Sequence, residues 1–531
     1  MAVSQGLWLG YLAQLVAIVD KVGYAKIVAT SAGVVAAYKL IHALYFSPLR
    51  NIPGPLLSRL TRKRAELIGA LGGQAHNACE EYEKYGDIYV YQPNAVAISN
   101  PSDVRVVFGS HAFRKSDYYK GTDVLGVQTT TSARDPQLAS MKRRQMGPYF
   151  NHAYLARLEQ VVVELGFLAI KDKWDKLISE SVDGQVEVNY QKDLLYATFD
   201  TIGVLAFGRE FGALKNDDPT VSRWLGSTLA YFGMKSLFPL LEYSPFSLLI
   251  RPVKRQYEEL LVYSAQCIAD RKSLLASFGK DDANSDKKPI DLLQGFIDAE
   301  DPESKTRMTP TQVHAETLVM LLAGSETSSN TLTWTLHLLM LYPQHYRRAV
   351  EEARSLFDKD HLISFNEARS QLPFVEACIY ESMRLAPVTG GMWPRLVPEG
   401  GVTLRGHFLP AGTEVYVSIS GANIHKDYWN EPHLFDPTRF IDNEEAKRNV
   451  FTFSTGVRIC PGKHLAWIEM LTILGNVLKD YDMQVPDGYT HLGPSVLDKN
   501  GYPKLMDSNH FITSNPANPA RDCRILITKR A

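Results

Sequence analysis

Residues 311–341 carry an apolar pattern of helical period, interrupted midway by Ala323-Gly324-Ser325-Glu326-Thr327-Ser328. A helix of that length runs about 45 Å at roughly 1.5 Å per residue. A helix apolar all round must be buried, so the chain needs a large domain to enclose it. Glycine and polar residues in the middle of a buried helix are costly unless they make room for something; the plain alternative is a kink. Further helical patterns cover about 152–180, 190–207, 251–277, 344–357, 371–385 and 461–480. Two short alternating runs, Ile88 to Gln92 and Ala95 to Ser99, flank Pro93-Asn94 and predict a hairpin. Asn100-Pro101-Ser102-Asp103 predicts a helix start, and strand-like pieces recur near 402–418. With no βαβ alternation, the expected fold class is mainly α with small β-sheets.

The first fifty residues differ from the rest. Leu7 to Val19 has no charge, and Val22 to Phe46 is broken only by Lys26, Lys39 and His42. Ile27 to Tyr38 with its flanks is long enough to cross ~30 Å of hydrocarbon; an anchor lying in one leaflet is the alternative. Lys39, Arg50, Arg59, Arg62, Lys63 and Arg64 come next, which places the remainder of the chain on the cytosolic side. Asn51-Ile52-Pro53-Gly54-Pro55 then ends any helix. Residues 1–48 are thus expected to be a membrane anchor and 49–531 a single domain. Within it, 110–138 reads as a long loop, 279–288 as a polar surface loop, and the apolar stretch 237–250 as either core or a loop that dips into lipid.

Net charge is −1 from 57 basic and 58 acidic residues, which argues against a chain built to bind nucleic acid. The charged fraction of 22% is too high for a many-span transporter. Five cysteines make no disulfide scaffold and leave at least one thiol unpaired.

One of the five stands apart. Phe453-Ser454-Thr455-Gly456-Val457-Arg458-Ile459-Cys460-Pro461-Gly462 leads into a helical pattern. A thiolate at a helix N-terminus is favoured by the dipole and by free N–H groups. Gly456 allows a tight turn, Gly462 a close approach, Phe453 can shield a sulfur and Arg458 can meet an anion. Cys79, Cys267, Cys378 and Cys523 fit buried inert thiols.

This segment resembles the haem-thiolate loop of the cytochromes P450, and the resemblance extends from Pro53-Gly54-Pro55 to the C-terminus. Glu381-Ser382-Met383-Arg384 resembles the family's E-x-x-R helix. Phe435-Asp436-Pro437-Thr438-Arg439-Phe440 resembles its Pro/Arg/Phe loop, although Glu is commoner where Thr438 stands. The resemblance implies the P450 fold, haem b ligated by Cys460, and a buried charge cluster of Glu381, Arg384 and Arg439. It also implies a distal helix in which Ala323 and Gly324 leave room at the haem while Glu326 and Thr327 direct protons to bound oxygen. Propionate partners implied by position are Arg458, Arg395 and Arg143, with Arg144 an alternative to Arg143 because Ala139 replaces the usual Trp or His. His425 is given no ligand role.

The implied enzyme is a membrane-anchored monooxygenase of the endoplasmic reticulum with a cytosolic catalytic domain. It would insert one oxygen atom of O₂ into a C–H or C=C bond of a hydrophobic small molecule. Electrons would come from NADPH through a separate cytochrome P450 reductase, with cytochrome b5 an alternative donor, and Lys142, Arg144 and Lys463 would meet the acidic reductase surface. A multi-step oxidase or isomerase, and a haem-binding sensor without turnover, are the other readings. The resemblance is to fungal members, which implies secondary metabolism. Pocket parts are expected at 110–132, 222–235, 316–327 and 388–392, offering Tyr118, Tyr119, Phe232, Val319, Leu322 and Met392.

Overall fold

Helices dominate the computed structural model, which describes residues 23–277, 289–486 and 488–530. The central helix spans Pro310–Leu341. It begins at a capping box: Thr309 Oγ1 accepts from Gln312 N, and Gln312 Oε1 accepts from Thr309 N. Pro310 fills the first turn, where no N–H is needed. The helix stops at Tyr342, before Pro343 opens the helix Pro343–Leu356. It packs along Tyr190–Phe207 and against Pro373–Leu385 and Lys463–Asp480, so the main apolar core surrounds it. The pattern over 152–180 is not one helix. It is divided into His152–Ala156, Glu159–Val162 and Ala169–Glu180, with a π-type turn over Val163–Leu168. Gly166 lies in that wide turn, where a Cβ would stand 3.2 Å from Ile473 Cδ1, so the turn closes tightly on Lys463–Asp480.

The predicted hairpin forms: Ile88–Gln92 and Ala95–Ile98 pair antiparallel, Val90 opposite Val96. Ala95–Ile98 pairs in parallel with Glu414–Ser418, which pairs antiparallel with Met392–Leu396. Asn100 caps the next helix, Pro101–Gly109, by accepting from Ser102 N. A second sheet joins Gln185–Asn189, Arg524–Lys529 and Tyr481–Gln484. The expected loop over 110–138 holds a 3₁₀ turn, Asp117–Thr122, and ends where Asp135 caps the helix Pro136–Met146.

The expected first apolar stretch, Leu7 to Val19, lies outside the described residues. The second is helical over Tyr24–Ile41 and continues as a π-type turn through His42–Phe46. Lys26–Phe46, with mean hydropathy 1.5, is long and apolar enough to cross a bilayer and lies almost wholly outside the core. The segment leading from this helix into the domain is clamped. Arg59 donates to the carbonyls of Leu49, Arg50 and Ile52. Val90 N donates to Pro53 O at 2.7 Å. Gly54 has φ +143°, and a Cβ there would stand 2.8 Å from Val90 N, so only glycine fits. The stretch 237–250 is surface rather than core: Leu240, Tyr243, Phe246, Leu248 and Leu249 are exposed, and only Ile250 is buried. It adjoins the helix Lys63–Ala70, where Leu237 packs over Gly69. The polar loop 279–288 lies outside the described residues.

Candidate active site

A cavity of about 310 Å³ opens between the helix Pro310–Leu341 and the loop that carries Cys460. The loop is held by its own backbone. Gly456 starts a 3₁₀ turn at φ +66°, where a Cβ would stand 2.5 Å from Gly109 Cα, so both the turn and the close approach need glycine. Cys460 N donates to Phe453 O at 2.9 Å, bending the chain back before the helix Lys463–Asp480. Cys460 lines this cavity and is exposed there. Burial raises its thiol pKa. The N–H groups of Gly462 and Lys463 and the cations Arg143 and Lys463 oppose that rise without cancelling it. A metal cation would supply the charge that deprotonates such a thiol outright. Gly462 caps the helix, and a Cβ there would meet Cys460 Sγ at an ordinary 3.9 Å, so its use is local rather than steric.

Lys115, Arg143, Arg395 and Arg458 face the same cavity, and among the described residues none that lines it is acidic. Arg395 sits on the strand Met392–Leu396, donates to Tyr119 Oη at 2.8 Å and lies over the Phe108 ring. Arg143 donates to Ile459 O at 2.6 Å, beside the cysteine. Burial, then Arg395 and Arg143, push Arg458 down to about 10. Burial and the three arginines push Lys115 well below its ordinary value. Lys115 donates to Thr131 O, but among the described residues no carboxylate pairs with any of the four, and cations gathered this way suit an anionic ligand.

On the central helix, Ala323, Thr327 and Ser328 face the cavity, and Thr327 Oγ1 donates to Ala323 O at 2.6 Å. Gly324 makes room for something other than a ligand. A Cβ there would stand 2.8 Å from Ile202 Cδ1, so the glycine lets Tyr190–Phe207 pack closely. Glu326 is buried, and burial raises its carboxyl to about 7 against hydrogen bonds from Thr513 and Asn515.

The family model for cytochrome P450 matches residues 66–493. The chain belongs to the cytochrome P450 family. This P450 is 46% identical over 493 residues to the cytochrome P450 monooxygenase helB1 of Aspergillus fumigatus, covering 93% of this chain and 84% of that one. It is 43% identical over 498 residues to helB2 of the same fungus, covering 93% and 96%. Pisatin demethylase of Fusarium vanettenii is 27% identical over 512 residues, covering 92% and 93%. The expected kinship with fungal monooxygenases is thus borne out. The family binds haem through a thiolate, and the site fits it: a cysteine and four cations face one cavity, with no carboxylate among the described residues that line it.

In the P450, Glu381 and Arg384 are fully buried and paired at 2.6 and 2.8 Å. Arg439 approaches Glu381 at 3.3 Å. Arg384 also donates to the carbonyls of Asn423, Pro432 and Leu434. His425 bonds Asp87 and Asn100, which ties the sheet to the helix Pro101–Gly109 and leaves it no ligand role.

Other expectations need correction. Arg144 does not line the cavity; it pairs with Asp301 at 2.6 Å. Lys142, expected at the reductase-facing surface, is 1% exposed and pairs with Glu316 at 2.8 Å. Glu316 also accepts from Thr130 N, so the pair fastens the 110–135 loop to two helices. Tyr119, Phe232, Val319 and Leu322 line the cavity. Met392 instead belongs to the buried cluster that holds Tyr89, Tyr91 and Tyr416, and Tyr118 meets Tyr119 edge-on at 5.7 Å. Sequence reasoning misses Lys115, because no motif marks it.

Proposed function

We propose that this P450 is a haem-thiolate monooxygenase that oxidises a hydrophobic small molecule of fungal secondary metabolism, with electrons delivered from NADPH by a separate reductase. The observation that carries this reading is the shared cavity: Cys460, the cation ring and Thr327 all face it. Cys460 would hold the iron, and Arg143, Arg395, Arg458 and Lys115 would hold the propionates. Bound there, haem supplies oxygen activation and oxidising power. The chain's own residues do the rest. Phe453, Pro461, Ala466 and Met470 line the cavity together with Cys460. Thr327 presents a hydroxyl to the cavity, and Glu326 behind it can carry a proton near neutrality. Leu229, Phe232, Val319, Leu322, Val388 and Ile512 give an apolar wall that suits an apolar substrate and excludes water.

The apolar helix at Lys26–Phe46 supports an anchor in the endoplasmic reticulum membrane, with the exposed 237–250 stretch resting on the same bilayer. With Lys142 buried, Lys463 and other basic residues around the cysteine loop are left to meet the reductase. The test is the carbon monoxide difference spectrum of the reduced protein, followed by NADPH consumption with reductase. A thiolate-type band and substrate-dependent consumption are expected. A band of imidazole type, or consumption indifferent to every hydrophobic metabolite that shifts the spin state, would refute it.

A further inference from the structure

Glu326 does not line the cavity; Thr513 does. Thr513 lies at the tip of the hairpin formed by Ser508–His510 and Ser514–Pro516. Its Oγ1 lies 2.6 Å from Glu326 Oε2, and both side chains are buried. Asn515 Nδ2 donates to Thr513 Oγ1 at 3.3 Å, and Asn330, one turn beyond Glu326, donates to Asn515. The hairpin thus meets the central helix on successive turns, with one hydroxyl between the buried acid and the cavity.

We propose that Thr513 is a relay residue through which Glu326 passes protons into the cavity. This rests on the monooxygenase reading above. With Glu326 ionised, the Thr513 hydroxyl donates to it, as the 2.6 Å contact is oriented. With Glu326 protonated, the roles reverse. The acid proton passes from Oε2 to Thr513 Oγ1 as the hydroxyl hydrogen passes to the oxygen of a water in the cavity, so two O–H bonds break and two form. One proton enters, Glu326 is left as carboxylate, and no electron moves. Asn515 fixes the hydroxyl rotamer by donating to the same oxygen.

The test uses the full-length holoenzyme and compares Thr513→Val and Thr513→Ser with wild type. Thr513→Val keeps shape and loses the hydroxyl. Peroxide released per NADPH is expected to rise several-fold in it, with the substrate-induced spin-state shift retained, and to return to the wild-type value in Thr513→Ser. The second readout needs no turnover. In infrared difference spectra of the resting protein titrated with acid, the protonated carboxyl band that Glu326→Gln removes should move to higher frequency in Thr513→Val and stay in place in Thr513→Ser. Wild-type coupling and an unmoved band in Thr513→Val would overturn the proposal. So would equal uncoupling by Thr513→Ser, which keeps the hydroxyl. If wild type consumes no NADPH with reductase, the monooxygenase reading fails and the infrared result alone decides the contact.

Discussion

Replacing Glu381 with alanine should cost the P450 its haem. Glu381 accepts two hydrogen bonds from a guanidinium that has no solvent exposure, at 2.6 and 2.8 Å. Hydrogen bonds to charged groups contribute about 1.5–3 kcal/mol each. Arg384 would keep three carbonyl acceptors, at 2.6, 3.0 and 3.2 Å, which offsets part of the loss. Arg439 is partly hydrated and adds little. Stranding one partner of a buried pair costs about 3–5 kcal/mol; about 4 kcal/mol suits this site, against a total stability of about 5–15 kcal/mol. The damage should reach the cysteine loop. Arg384 holds the Asn423 carbonyl, Asn423 holds Phe451 N, and Thr452 bonds Met383 O. The measurements are haem per polypeptide and the urea midpoint of the detergent-purified chain. Glu381→Ala should retain little haem, and Glu381→Ala with Arg384→Met should recover part of the midpoint because the stranded charge is gone. A single variant with full haem and an unchanged midpoint would refute the reasoning, as would a double variant less stable than the single one.

Cys460→Ser should abolish the thiolate-type carbon monoxide band while the protein stays folded by circular dichroism. Lys142→Met leaves Glu316 charged and buried and should cost about 3–5 kcal/mol in urea melts, with most of it recovered by adding Glu316→Leu. Burial raises Glu326 from 4.5 to about 7. The folded state thus holds a proton that the unfolded chain releases between those values, and stability falls as pH rises through that window. Glu326→Gln should remove this part of the slope, gaining on the order of 3 kcal/mol above pH 7 and nothing below pH 4.5, read from urea midpoints at both ends. Lys115→Met should speed haem transfer to apomyoglobin several-fold, since it removes one of four cations at the cavity.

Legibility in the sequence depends on whether the signal is local. The central helix follows from period and caps, and the hairpin from Pro93-Asn94 between alternating runs. The Cys460 loop is legible because turn, cap and thiol lie within ten residues. Lys142-Arg143-Arg144 reads in the sequence as one basic face, and it is not. Successive helical residues diverge by about 100°, so three neighbouring cations reach three places: Glu316 in the core, the cavity, and Asp301. The partner of Lys142 is 174 residues away, beyond any spacing rule. Gly324 reads as space for a ligand because it interrupts a buried apolar helix beside Ala323; what fills its gap is Ile202, on another helix. Thr513 carries no local signal for the same reason, since its meaning depends on Glu326, 187 residues earlier.

The clamp at Pro53-Gly54-Pro55 makes the N-terminal helix a strut, not a leash. A slack connection would let the catalytic domain swivel and offer any face to the bilayer. Here three carbonyls are gripped by Arg59, and the chain is wedged against Val90. In a membrane, the domain could then turn about the bilayer normal but not tumble. Under the proposed anchoring, any face that receives electrons would sweep at constant height, and only a donor site held at that same height could meet it. Loosening the clamp, for example with Arg59→Ala, would change the geometry of that encounter while leaving every residue of the cavity in place.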